Sequence, residues 1–261
     1  MPDSLHVAKT GLNAQQQRMA VISNNLANVN TVGFKRDRAN FESLLYQNFQ
    51  DAGAQTSGST QSPTGLSIGT GVRIVSSEKL YNQGNIINTE NSLDLTIDGQ
   101  GFFQVMTPGG QVAYTRSGNF SKNSTGQLVT SNGYPIEPAV NIPSNATSIS
   151  ISKDGIVSVA IPGSAKMTPA GQIEIATFPN NGGLKPVGDS MALETAASGA
   201  PVAAAPGTAG AGKLIQGALE ASNVNVVEEL VSMIDTPRAY EVNSKAISAS
   251  DGMMKFLTQN I

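Results

Sequence analysis

The stretch SLHVAKTGLNAQQQRMAVISNNLANVN, residues 4–30, decides how the chain is built. Leu5, Ala8, Leu12, Gln15, Met19, Ile22, Leu26 and Val29 follow one another at intervals of three and four, and all but Gln15 are apolar. An interval averaging 3.5 residues, kept over more than three heptads, marks a helix that packs along a narrow seam in a left-handed supercoil. Asp3 or Ser4 can cap its start. Gly33 stands just past its end, where a left-handed residue is favoured. From residue 4 to residue 28 such a helix is about 37 Å long. Its seam is narrower than the face an ordinary globular helix buries, which favours a helical partner over the alternative of two amphipathic helices lying on one globular core.

The other end of the chain offers one. Val227, Leu230, Val231 and Ile234 make an apolar face, and Ala239, Val242, Ala246, Ala249, Met253 and Phe256 continue at the same spacing. Tyr240, Ile247 and Met254 form a second stripe. Two stripes on one helix imply two packing partners, the N-terminal helix and neighbouring subunits. Asn225, three residues before Glu228, reads as a cap. Glu228 and Glu229 complement the partial positive charge of a first helical turn. Pro237 removes a backbone donor and crowds the preceding turn, so a kink or register change is expected near Thr236.

The middle is β-like. Leu93, Leu95 and Ile97 alternate with polar residues, residues 102–106 form a second strand after Gly99-Gln100-Gly101, and Ile173 and Ile175 belong to another. Asp154-Gly155 and Asn132-Gly133 are hairpin dipeptides. The expected fold class is α+β: long N- and C-terminal helices paired as a coiled coil, with an inserted all-β domain. The expected division is residues 1–45 for the N-terminal helix and its motif and 46–73 for an extended insertion or linker. Residues 74–195 form the β-rich domain, 196–219 an Ala/Gly/Pro linker and return strand, and 220–261 the C-terminal helix.

Composition excludes several functions. The 261 residues carry 16 Lys and Arg against 19 Asp and Glu, a net charge of −3, so no basic surface invites nucleic acid. With no cysteine there is no disulfide, thiolate zinc site or cysteine nucleophile. The single His6, one step off the Leu5 seam, excludes any site needing two histidines. No apolar run approaches the ~20 residues of a membrane span, so no membrane insertion is expected. Gln15, Gln16, Gln17 and Arg18 occupy the place of a secretory signal's apolar core, so no cleaved signal is expected. The Ser-x-x-Lys spacings at Ser76 and Ser150 lack their companion motifs. Asp94 and Asp98 share a strand face and offer only a weak hydrolase alternative. No catalytic set, cofactor or metal site is expected. Lys35, Arg36 and Arg38 read as a solvated face or an intersubunit salt bridge.

Longer motifs go further. Asn24-Asn25-Leu26-Ala27-Asn28, running on through Val29-Asn30-Thr31-Val32 to Gly33-Phe34-Lys35, resembles the N-terminal motif of the bacterial flagellar rod and hook axial proteins. DLTIDGQGFFQV (94–105), YTRSGNFSKNSTGQLVTSNGYPIEP (114–138) and EASNVNVVEELVSMIDTPRAYEVNSKAIS (220–248) resemble successive blocks of the same family. In order, they cover most of the chain, which is identified as a member of that family, of the distal rod type. That type carries an additional segment after the first helix, here residues 46–65, to which the family's straight, stiff rods are ascribed. The resemblance implies paired terminal helices in an inner tube with an outer β domain. It implies a helical homopolymer in the periplasm, a hollow shaft that carries torque toward the hook and passes exported subunits. The implied partners are further copies of the chain, the proximal rod, hook and surrounding outer-ring proteins, and the flagellar type III export apparatus. Phe41 and Leu45 match the Phe-x-x-x-apolar pattern that export gates recognise, with a buried helix turn as the structural alternative. A hook or proximal rod subunit is the rival within the family. A secreted β-rich adhesin is the rival outside it, but aromatic residues are 5% and Trp is absent.

Overall fold

The computed structural model describes residues 3–53, 55–57, 60–61, 63–163 and 166–259, which form two units. One gathers the terminal helices and residues 37–78; the other holds residues 28–36 and 79–224.

In the first unit, α1 (Asp3–Ala27) and α2 (Val226–Gln259) pack against each other. Three contacts show them antiparallel. The Ser4 and Ser250 hydroxyl oxygens are 3.3 Å apart, and Asn25 Nδ2 donates to Glu229 Oε1 at 3.3 Å. Between them Gly11 faces Asn243, whose Nδ2 would lie 3.1 Å from any Cβ added there. The contacts recur at seven and fourteen residues on both helices. On α1 the expected stripe is the covered one. Ala8 and Ile22 are buried and Leu5, Leu12, Gln15, Met19 and Leu26 half-buried, joined by the buried Ala14 and Asn25.

On α2 the covered face takes in Ile247 of the second stripe and is otherwise largely polar. Glu229, Thr236 and Ser250 are buried and Asn243 half-buried, with Met233 and Ile247 beside them. Val227, Leu230, Ile234, Val242, Ala246, Ala249, Met253 and Phe256 are exposed, and Ala239 is half-buried. Neighbouring stripes on a helix differ by a rotation of about 100° per residue, and both repeat at three and four, so spacing alone does not separate them. Asn225 caps α2 as expected: its Oδ1 accepts from the N–H groups of Val227 at 3.1 Å and Glu228 at 3.4 Å. The helix runs for 34 residues through Pro237, and Thr236 Oγ1 donates to the Ser232 carbonyl at 2.6 Å.

The described residues of 37–78 form a two-stranded ribbon. Asp37–Ser43 pairs with Val72–Lys79, Tyr46–Gln50 with Leu66–Gly69, and Gln55–Ser57 with Thr60–Gln61. The expected insertion or linker at 46–73 is thus paired strand over much of its described length, and residues 74–78 belong to the ribbon rather than to the β-rich domain. The base of the ribbon is fixed to α1 at two points. The Asn25 carboxamide accepts from the Asp37 N–H at 2.8 Å and donates to the Asp37 carbonyl at 2.9 Å. Fifteen residues earlier, Thr10 Oγ1 accepts from the Val72 N–H at 3.3 Å. The adjoining Gly71, at φ +122°, leaves no room for a Cβ against that hydroxyl. About 22 Å of helix matches about 23 Å of strand from Asp37 to Leu44, so the first strand runs back along α1.

The second unit is β throughout except a single 3-10 turn, among its described residues. Its largest sheet runs Lys185–Gly188, Met191–Leu193, Val112–Thr115, Phe102–Met106, Ile175–Thr177, Val202–Ala204, with Ile136–Glu137 also paired to Phe102–Met106. Ser148–Ile151, Ile156–Ala160 and Thr168–Gln172 form a three-stranded sheet. Leu95, Ile97, Phe103, Leu128, Ile136 and Ile175 lead the core. Both hairpin dipeptides turn as expected, with Gly133 at φ +84° and Gly155 at φ +82°. The expected linker at 196–219 is part of this unit: Val202–Ala204 pairs with Ile175–Thr177 and Lys213–Gln216 with Leu95–Asp98. Short strands joined by tight turns need few large side chains, so their composition imitates a linker.

Candidate assembly site

The motif residues act through two separate sets of contacts. In the first unit, Asn24 and Asn25 close α1. Asn24 Nδ2 reaches Asp37 Oδ2 at 3.2 Å, while Asn25, fully buried, holds Asp37 and meets Glu229 as described. Leu26 is half-buried and Ala27 is the last helical residue. In the second unit, Asn28 starts a turn by accepting from Thr31 through both its carbonyl and its side chain. Gly33 sits at φ +68° and donates its N–H to the Glu220 carbonyl at 2.8 Å. A Cβ there would stand 2.5 Å from Ser117 N, so only glycine fits. Phe34 is buried under the Lys79 ammonium, 4.8 Å from its ring centroid.

Lys35 is the centre of a buried ionic group that the sequence did not suggest. Its Nζ donates to Glu220 Oε1 at 2.6 Å and to the Asn82 carbonyl at 2.7 Å. The two side chains are 3% and 0% exposed. Glu220 Oε1 also accepts from the Gly84 N–H at 2.9 Å, and Glu220 Oε2 lies 3.5 Å from Arg116 Nη1. Arg116 donates to the carbonyls of Ile97 and Gly99 at 3.2 and 2.6 Å. Burial pushes the Lys35 pKa below its ordinary value, and Glu220 pulls part of that back. Burial lowers Arg116 in the same way. A depressed lysine can serve as a nucleophile, but this one is sealed and engaged, so its role is to tie the motif to the strand Ala218–Glu220. Lys35 is therefore not on a solvated face; Arg38 is, paired with Glu78 at 3.0 Å. In sequence, nothing singled out Glu220 and Arg116; they are found by distance.

The remaining candidates separate clearly. Asp94 is buried and accepts from Thr89 at 2.6 Å and Asn91 at 3.0 Å, whereas Asp98 is exposed and meets Gln83. They form no catalytic pair. Among the described residues no group of three His, Cys, Asp or Glu could hold a metal. Phe41 lies in the strand Asp37–Ser43 and Leu45 just beyond it, 88% exposed, so this segment is extended and not a buried helix turn. The outward stripe of α2 is open along its length, with Val227 70%, Val242 66% and Phe256 69% exposed.

Three family models match in chain order. The flagella basal body rod protein model covers residues 5–35, the flagellar hook protein FlgE/F/G D1 domain 96–159, and the flagellar basal body rod FlgEFG protein C-terminal model 215–260. The flagellar basal-body rod protein FlgG of Buchnera aphidicola from Acyrthosiphon pisum is 53% identical over 99% of this chain and 100% of its own. Its counterpart from Buchnera aphidicola subsp. Schizaphis graminum is 54% identical over the same shares, and that of Caulobacter vibrioides 49% over 98% of both chains.

The chain belongs to the FlgG family of flagellar basal-body rod proteins. It is a structural subunit of the distal rod and not an enzyme, and it resides in the flagellar basal body. The matched FlgG segments correspond to the two sets of contacts above: the rod model spans α1 and the motif through Lys35, and the C-terminal model spans Glu220 and α2. Among the described residues no helix is long and apolar enough to cross a membrane.

Proposed function

We propose that α1 and α2 pair as a coiled coil and that copies of the chain polymerise through the outward stripe of α2 into a straight, hollow shaft in the periplasm. The observation that carries this reading is the stripe itself. Val227, Leu230, Ile234, Val242, Met253 and Phe256 expose large apolar side chains along almost the whole helix. A monomer rarely leaves a contiguous apolar surface of more than a few hundred Å² open unless a partner covers it. The heptad recurrence of the α1–α2 contacts supports the supercoil. Many modest lateral contacts and low charge suit a shaft that carries torque toward the hook while subunits pass along its channel. The ribbon at residues 46–65 supplies stiffness. The proximal rod, the hook, the surrounding outer-ring proteins and the type III export apparatus are the partners, with Phe41 and Leu45 read at the export gate.

Electron microscopy of concentrated protein, and rod completion in cells, test this reading. The variant carrying Leu230→Asp and Ile234→Asp is expected to keep the circular dichroism of its β-rich unit yet form neither tubes nor rods. Polymerisation at the unmodified level would overturn the role of the stripe. Deleting residues 46–65 is expected to give curved or incomplete polymers; straight tubes from the deletion would remove the stiffening role.

A further inference from the structure

The face of α2 that meets α1 has an unusual composition. Glu229, Thr236, Asn243 and Ser250 recur every seven residues on it, and all four are polar. Three are buried and Asn243 is half-buried. Met233, Tyr240, Ile247 and Met254 also recur at seven, as Leu5, Leu12, Met19 and Leu26 do on α1. Sliding one helix along the other by a heptad would therefore exchange apolar residues for apolar residues. The hydrophobic contacts alone specify the alignment weakly.

One pair does distinguish the registers. Asn25 and Glu229 are each 1% exposed and hydrogen-bonded to one another. A slip of seven residues in one direction sets Asn25 opposite Thr236. In the other it sets Asn25 opposite Ser222, ahead of the start of α2. Either slip takes from a buried carboxylate one of its donors, and a hydrogen bond to a buried charge is among the more costly to lose. A buried polar residue in a helical seam fixes register at some expense in stability. Asn25 also holds both backbone groups of Asp37, so the same side chain links the helix alignment to the start of the ribbon.

We propose that Asn25 and Glu229 are positioning residues that select the antiparallel register of α1 and α2, and through Asp37 the placement of the ribbon along α1. The apolar seam supplies attraction, and this pair supplies alignment.

The full-length chain contains no cysteine, so engineered pairs report register directly. Ser4→Cys with Ser250→Cys reads the native alignment, in which the hydroxyls are 3.3 Å apart. Ser4→Cys with Asn243→Cys reads an alignment slipped by seven, since residue 243 then takes the place of residue 250 opposite residue 4. Intramolecular cross-links are scored on denaturing gels after mild oxidation. With Asn25 and Glu229 intact, the native pair is expected to cross-link at least about tenfold more than the slipped pair. With Asn25→Leu and Glu229→Leu, the ratio is expected to fall to near one while the helices stay paired. Glu229→Gln keeps an acceptor for Asn25 and is expected to retain the native preference. This separates alignment from a general need for charge, and covers the case in which the leucine variant does not fold. Equal yields in the unmodified background, an unchanged ratio in the leucine variant, or loss of preference in Glu229→Gln would each overturn the proposal.

Discussion

Replacing Glu220 by alanine removes the one anion between two buried cations. Lys35 keeps only the Asn82 carbonyl of its two named acceptors, Arg116 keeps Ile97 and Gly99, and the Gly84 N–H loses its acceptor. Lys35 can shed its proton, since burial already lowers its pKa, but Arg116 cannot. Removing one partner of a buried ion pair costs about 3–5 kcal/mol, and the proton Lys35 can release places Glu220→Ala near the middle, about 4 kcal/mol. Lys35→Met is milder, because Glu220 keeps Arg116 and Gly84; losing one hydrogen bond to a charge costs about 2 kcal/mol. In urea, with a slope of about 2 kcal/mol per molar, the midpoint should fall by about 2 M for Glu220→Ala and about 1 M for Lys35→Met. Circular dichroism of the full chain reads both. Combining Lys35→Met with Glu220→Ala should cost less than the two separate losses together, because the methionine removes the stranded ammonium. A midpoint for Glu220→Ala within about 0.5 M of the parent, where the slope is unchanged, would refute the reasoning. So would a larger loss from Lys35→Met.

Gly33→Ala forces a Cβ to within 2.5 Å of Ser117 N at a φ of +68°. Strain and displacement should cost about 2 kcal/mol or more, read as a lower melting temperature together with fewer completed rods. Glu78 is held below the ordinary carboxylate range, first by the Asn40 hydrogen bond and then by Arg38. Its contribution to the ribbon is present above the ordinary glutamate pKa and is lost as pH falls through the depressed value. The protection factors of the Asp37–Ser43 amides, observed exchange divided into the intrinsic rate at each pH, should therefore fall under acid, and Glu78→Gln should blunt that change. An acid response as steep in Glu78→Gln as in the parent would rule the carboxylate out.

Much of the first unit was legible because local pattern decides it. The stripe from Leu5 to Leu26 predicts α1 and its covered face, and Asn225 predicts the start of α2. Local chemistry also placed the turns at Gly133 and Gly155. The stretches misread were those where composition and structure part company. Residues 196–219 are small and Gly-rich, yet they complete two sheets. Residues 46–73 are polar, yet over much of their described length they pair with one another across the ribbon. A strand whose neighbours supply the hydrogen bonds need not carry an alternating apolar pattern of its own.

The sequence by itself determined the terminal helices, the Asn225 cap, the turns at Gly133 and Gly155, and the family, since these depend on residues near one another in the chain. Tertiary structure alone decided which stripe of α2 meets α1, and it united Lys35 with Glu220, 185 residues away. The apolar stripe announces that something must cover it, but periodicity carries no label for the partner. The stripe that does meet α1 is chosen where Gly11 admits Asn243 and where Asn25 meets Glu229. Those are matches of shape and hydrogen bonding between distant segments. They exist only once the chain has folded back on itself.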